Sequence, residues 1–135
     1  MDNKQINIGL FGFGTVGKGL YDVLKKIQPE NVSIVKVCVR NVAKHSAEAP
    51  ELEFTSNADD IFTDSRINFI VELIDDAEAA YGIVKRALQA KIPVVSGNKK
   101  MLARHIQEMI QLQRDNDTAL LYDASACGSI PVIRN

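Results

Sequence analysis

The stretch INIGLFGFGTVGKGL, residues 6–20, sets Gly9, Gly12, Gly14 and Gly17 between an apolar run and an apolar pattern of helical spacing. With Gly19, five of the chain's eight glycines fall here. Ile6, Ile8, Leu10 and Phe11 read as a strand; Val16, Leu20, Val23, Leu24 and Ile27 read as a helix that Pro29 closes. A strand that runs through Gly12-x-Gly14-x-x-Gly17 straight into a helix has the context that a dinucleotide fingerprint requires. Gly12 permits the tight turn, Gly14 lets a pyrophosphate approach the backbone, and Gly17 lets the helix pack close to the strand. The N–H groups and dipole of the first helical turn then face the anion. A glycine-rich turn with no ligand is the competing reading, and the strand–turn–helix setting weighs against it. The pyrophosphate turn is therefore expected at Gly12, Gly14, Thr15, Val16 and Gly17.

The rest of the chain keeps alternating. VSIVKVCVR, 32–40, reads as the second strand, and the polar stretch from Asn41 to Glu53 reads as a loop that holds His45. A weak strand near Phe54 and a short helix capped by Asn57 follow. INFIVELI, 67–74, is the continuous apolar run of a strand buried on both faces. Ala80, Val84, Ala87 and Leu88 make the next helical stripe, and DDAE before it predicts Asp75 as N-cap with Glu78 as its capping-box partner. IPVV, 92–95, a helix through Leu102, Ile106, Met109, Ile110 and Gln113, and TALLY, 118–122, complete the series. Such alternation predicts an α/β chain: a Rossmann-type doubly wound parallel sheet with helices on both faces, in a single domain over residues 1–135.

The cofactor is addressed at the end of the second strand. NAD-binding domains usually carry Asp or Glu about 20 residues past the motif, to accept from the ribose hydroxyls. Here VCVRN ends in Arg40. A guanidinium suits a 2′-phosphate bidentately or stacks on the adenine face; the bland alternative is a solvated residue at a strand end. NADP is the expected cofactor, with NAD possible. The net charge of −1 offers no footprint for nucleic acid or an acidic membrane surface. The polar N-terminus MDNKQ has no signal-peptide character, and no apolar run approaches the roughly 18 residues that span a bilayer. Cys38 and Cys127 have no metal or redox spacing, so no metal is expected and a reducing cytoplasm fits.

Three further segments, FIVELIDD at 69–76, IPVVSGNKKMLA at 92–103 and LYDASACGSIPVIR at 121–134, join GFGTVGKGL as four ordered motifs. With them the chain resembles the nucleotide-binding domain of homoserine dehydrogenase across nearly all its length. The family's pattern runs glycine loop, V-E-x-x-G-G, T-x-N-K and Y-E-A-S-x-x-G-G-I-P. The resemblance implies NAD(P)-dependent interconversion of L-homoserine and L-aspartate 4-semialdehyde, in threonine, methionine and isoleucine biosynthesis. Asn98 and Lys99 match the N-K pair, which implies Lys99 as the catalytic residue, polarising the semialdehyde carbonyl or joining proton transfer. The other reading of Lys99 is a solvated first-turn lysine behind a cap at Asn98 or Ser96. Asp75, Ser96 and Asn98, at strand ends, complete the expected cofactor-binding set.

The departures are Asp75-Asp76 in place of Gly-Gly, Asp123 in Y-D-A-S, and Ser129 in G-S-I-P. Two carboxylates facing a pyrophosphate predict weak cofactor affinity. The chain stops at GSIPVIRN, where the family continues into a substrate and dimerisation domain, and it holds no complete acid–base set: His45 and His105 read as surface residues. The expectation is the nucleotide-binding part of a longer enzyme, inactive alone, homo-oligomeric at full length, with the dinucleotide and a small-molecule substrate as partners. The alternatives are a stand-alone NAD(P)-sensing module or the cofactor domain of another amino-acid or semialdehyde dehydrogenase.

Overall fold

The computed structural model describes residues 4–122. Asp123, Cys127, Ser129 and the rest of the motif beyond Tyr122 lie outside the described residues. Within them, β1 (Ile6–Phe11), β2 (Val32–Cys38), β3 (Phe54–Thr55), β4 (Phe69–Glu72), β5 (Val94–Ser96) and β6 (Leu120–Leu121) form one sheet. Every pairing is parallel and the order is β3-β2-β1-β4-β5-β6. The connections carry α1 (Thr15–Ile27), α2 (Val42–Glu48), α3 (Asp59–Phe62), α4 (Ala77–Gln89) and α5 (Lys99–Asn116). Strand order reverses between β1 and β4, and that switch opens a crevice at the carboxyl edge where open α/β sheets take ligands.

The period of two in β1 splits the core. Ile8 and Leu10 join Phe13, Val37 and Val71 under Leu20 and Leu24 of α1. Phe11 joins Ile70 and Val94 on the opposite face, under Ala80, Val84 and Leu88 of α4 and Met101 and Met109 of α5. Each such fully buried Leu or Val stabilises by about 1.5–3 kcal/mol. Gly9 completes the fit: a Cβ there would meet Ile61 of α3 at 2.6 Å.

Three local expectations are corrected. Asn41–Glu53 is not a loop throughout, because α2 forms inside it. Asn41 accepts from the Lys44 N–H (3.1 Å) as N-cap, and buried Ala49 docks its end. His45 therefore sits on a helix. Second, Ala58 occupies the N-cap position of α3, while Asn57 acts one residue earlier, its Oδ1 accepting from the Asp59 N–H (3.0 Å). Third, the N-cap of α4 is Asp76, not Asp75. One Asp76 oxygen accepts from the N–H groups of Glu78 (2.9 Å) and Ala79 (3.0 Å). Glu78 then lies one position too early for a capping box and turns to Arg104 and His105 of α5 instead.

Candidate functional site

Each glycine of the fingerprint has a separate physical reason. Gly12 sits at φ +95°, and a Cβ on it would lie 2.6 Å from the Leu73 carbonyl oxygen. The turn after β1 thus presses on the turn after β4, and only glycine combines that φ with that approach. Gly17 is buried, and a Cβ there would meet the Gly12 oxygen at 2.7 Å, so α1 rests directly on the turn. Gly14 is different: a Cβ there has nothing within 4 Å. It is the N-cap of α1, with no side-chain cap and no acidic residue in the first turn. The first-turn N–H groups are therefore left to an outside acceptor, and the space over Gly14 is kept free of protein.

Gly12, Gly14, Thr15 and Val16 line one wall of a cleft of about 750 Å³. Arg40, Lys44 and His45 line a second, and Leu73, Ile74, Asp75 and Asp76 a third. An adjoining cleft of about 400 Å³ shares Gly12, Val39, Arg40 and Ile74, and is walled by Phe11, Cys38, Ala58 and Ile83. The larger compartment mixes apolar walls with the cations Arg40 and Lys44 and the carboxylates Asp75 and Asp76, and the other is mostly apolar. The N–H groups of Ala79 and Glu78 hold the Asp76 carboxyl below the usual carboxylate range, and the charges of Arg40 and Arg104 add to the effect. Arg40 therefore feels Asp76 across the cleft.

Beside this cleft, a buried polar chain ties β4 to β5. Glu72 is fully buried, accepting from the Ser96 hydroxyl (2.6 Å) and the Ile74 N–H (2.7 Å). Burial pushes its carboxyl up, against the pull of those two donors. Asn98 donates its backbone N–H to Ser96 Oγ (3.2 Å) and its side-chain amide to the carbonyls of Ile74 (2.8 Å) and Asp75 (3.2 Å). Asn98 Oδ1 accepts from the Met101 N–H (2.9 Å), so Asn98 is the cap of α5. The next residue, Lys99, is exposed at the first helical position and makes no hydrogen bond or ion pair with a described residue.

The structure thus brings Gly12, Gly14, Thr15, Val16, Arg40 and Asp75 around one cleft and puts Gly17 beneath it. Ser96, Asn98 and Lys99 are not part of the cleft lining, and the side chains of Ser96 and Asn98 are committed to Glu72 and to the β4–α4 turn behind it. Sequence reasoning missed Lys44, His45 and Glu72. The signal for Glu72 is a single carboxylate inside the apolar run FIVELI; Lys44 and His45 were hidden in a stretch read as loop. Among the described residues no His/Cys/Asp/Glu group could hold a metal ion, and no helix is long and apolar enough to cross a membrane.

The family model described as homoserine dehydrogenase, NAD binding domain, matches residues 12–123. Homoserine dehydrogenase of Lactococcus lactis is 34% identical over 139 residues, covering 96% of this chain and 32% of its own length. That of Helicobacter pylori is 33% identical, with coverages of 97% and 32%. The chain thus spans about a third of the length of these relatives. The solved structure of S. aureus homoserine dehydrogenase superposes with a TM-score of 0.81 at 28% identity, over 90% of this chain and 33% of that one. The Thiobacillus denitrificans structure gives 0.80 at 32%, over 90% and 30%. A hyperthermophilic archaeal homoserine dehydrogenase in complex with NADPH shares the fold, with a TM-score of 0.69 at 21% identity, over 90% and 44%.

Proposed function

The chain belongs to the homoserine dehydrogenase NAD-binding family, and from that premise we propose that it serves as the dinucleotide-binding part of an enzyme that interconverts L-homoserine and L-aspartate 4-semialdehyde. In this reading residues 1–135 are the cofactor domain, and the substrate and dimerisation domain lies outside this chain. The open side of Gly14 together with the α1 start that no side chain caps is the observation that carries it. The pyrophosphate would be held by the N–H groups of Thr15, Val16 and Gly17, the adenine by the apolar walls at Val39, Ala58 and Ile83, and a 2′-phosphate by Arg40 and Lys44. When bound, the nicotinamide donates or accepts a hydride. The chain's own work is positional: Glu72, Ser96 and Asn98 fix the turn at Ile74–Asp75 and hold the first turn of α5, where Lys99 would offer an ammonium to a semialdehyde carbonyl. Cys38, a free thiol whose pKa burial raises, suits a reducing cytoplasm.

NADP is favoured over NAD because two cations and no carboxylate come from the end of β2 and the start of α2. Arg40→Ala should weaken NADP binding about tenfold to a hundredfold, the cost of losing one or two charged hydrogen bonds. NAD binding should change far less. Titration calorimetry with both cofactors measures this, and equal losses for the two would remove the 2′-phosphate from Arg40.

A further inference from the structure

α5 is two helical segments rather than one. At His105 the backbone leaves the helical region (φ −125°, ψ 19°), and the kink sets off a short segment, residues 99–104, that begins with Lys99. Met101 and Leu102 pin the middle of this segment in the core. Both of its ends are keyed to the β4–α4 unit, which walls the cofactor cleft at Ile74, Asp75 and Asp76. At the near end, buried Asn98 works in two directions. Its Oδ1 accepts from the Met101 N–H (2.9 Å), and its amide donates to the carbonyls of Ile74 (2.8 Å) and Asp75 (3.2 Å). At the far end, Arg104 Nη1 (3.1 Å) and His105 Nε2 (3.3 Å) meet Glu78 Oε2 of α4. The His105 ring also stacks on Tyr81 of α4, with 3.9 Å between centroids.

A cofactor seated against Ile74 and Asp75 takes away the room in which their turn moves. The two carbonyls that Asn98 holds belong to that turn. The constraint therefore passes through one side chain, from its amide to its Oδ1 and on to the first N–H groups of α5. Ser or Asp at this position caps a helix equally well, but only Asn adds amide donors to the capping oxygen. The kink at His105 lets residues 99–104 respond without moving the rest of α5.

Resting on the reading above, in which the cleft takes the dinucleotide and Lys99 serves the substrate, we infer that Asn98 is a positioning residue that couples the two. Cofactor contact at Ile74 and Asp75 tightens the first turn of α5 through the Asn98 side chain, and so fixes the place of Lys99.

Amide hydrogen exchange of the 135-residue chain, with and without saturating NADP, tests this. The readout is the slowing at residues 101–104 in excess of that at residues 106–113. Global stabilisation by a bound ligand slows both stretches and cancels in the difference. In the parent the excess should be about fivefold or more, the lower end of ordinary coupling between two sites. Asn98→Asp keeps an oxygen for the Met101 N–H and loses both donors to the turn. It should keep the cofactor-free protection of α5, bind NADP and show no excess. Asn98→Ser, a cap without the amide, carries the same prediction should the aspartate variant fail to fold. A brace with no part in coupling would protect residues 101–104 equally with and without cofactor. Bound NADP with no excess in the parent, or an excess that persists in the Asp or Ser variant, would overturn the inference and leave the cofactor reading standing. Failure of the parent to bind either NADP or NAD would overturn both.

Discussion

Two turns lie side by side at the carboxyl edge of the sheet, and each carries a central strand into a thirteen-residue helix. The β1–α1 turn leaves its helix start to the outside: Gly14 has no side chain, none of the first turn is acidic, and a Cβ there meets nothing. The β4–α4 turn closes its own: the Asp76 carboxylate takes two N–H groups, and Asn98 clamps the turn's carbonyls from α5. The same backbone device, a row of N–H groups at the positive end of a helix, is thus satisfied from within at one turn and reserved for a ligand at the other. Being an anion site is therefore a matter of what the protein withholds, and the withheld group at Gly14 is a single methyl.

The comparison is broken most severely at Gly12, where the two turns touch. Gly12→Ala forces a methyl to 2.6 Å from the Leu73 oxygen at φ +95°. It should cost about 3–4 kcal/mol in urea unfolding and abolish measurable cofactor binding. Retention of parental stability would mean that the turns are not in the contact described.

The closed turn breaks next, through Glu72→Ala. That change leaves the Ser96 hydroxyl and the Ile74 N–H without their acceptor inside the core, and should cost about 2–3 kcal/mol. Glu72→Gln reports the charge alone. Burial raises the folded pKa of Glu72 above its unfolded value, so its ionisation makes the parent lose stability as pH rises from about 4.3 through the folded pKa. The Gln variant should lose less stability than the parent across that window, and an unchanged profile would show that Glu72 is not titrating as a buried group.

The smallest effects separate the two aspartates. Asp76→Ala removes a cap and should lower Tm by about 3–6 °C. Asp75, exposed on the cleft wall with no cap to make, opposes a pyrophosphate without supporting the helix. Asp75→Gly should raise cofactor affinity roughly threefold to tenfold at low salt, and the gain should fade as the Debye length shrinks to about 3 Å at 1 M. A gain that survives high salt would point to space rather than charge.

The open turn was legible in the sequence because its constraints are local: strand, glycine spacing and helix all fall within residues 6–27. The closed turn was only half legible. DDAE announces a cap, but which aspartate caps depends on where β4 releases the chain, and Glu72 holds that point through the Ile74 N–H. The partner of Glu72 in β5, Ser96, lies 24 residues on, and the Asn98 amide that holds the Ile74 carbonyl is as far from Ile74, distances that no periodicity reports. The α2 helix escaped for another reason. VAKHSAE is seven residues long and too polar to show a stripe, and its inward contacts come from Val42 against the core and from His45 against the rings of Phe13 and Phe54.

One paired measurement goes to the centre of this contrast: the Tm and the NADP and NAD dissociation constants of Gly14→Ala. The added methyl meets no protein atom, so the fold should lose under about 1 kcal/mol, the scale of an N-cap change. Both cofactors should bind at least about tenfold more weakly, because the methyl occupies the space kept for their shared pyrophosphate. Parental affinity for both cofactors in a folded Gly14→Ala protein would contradict the account, since the space over Gly14 would then serve no ligand.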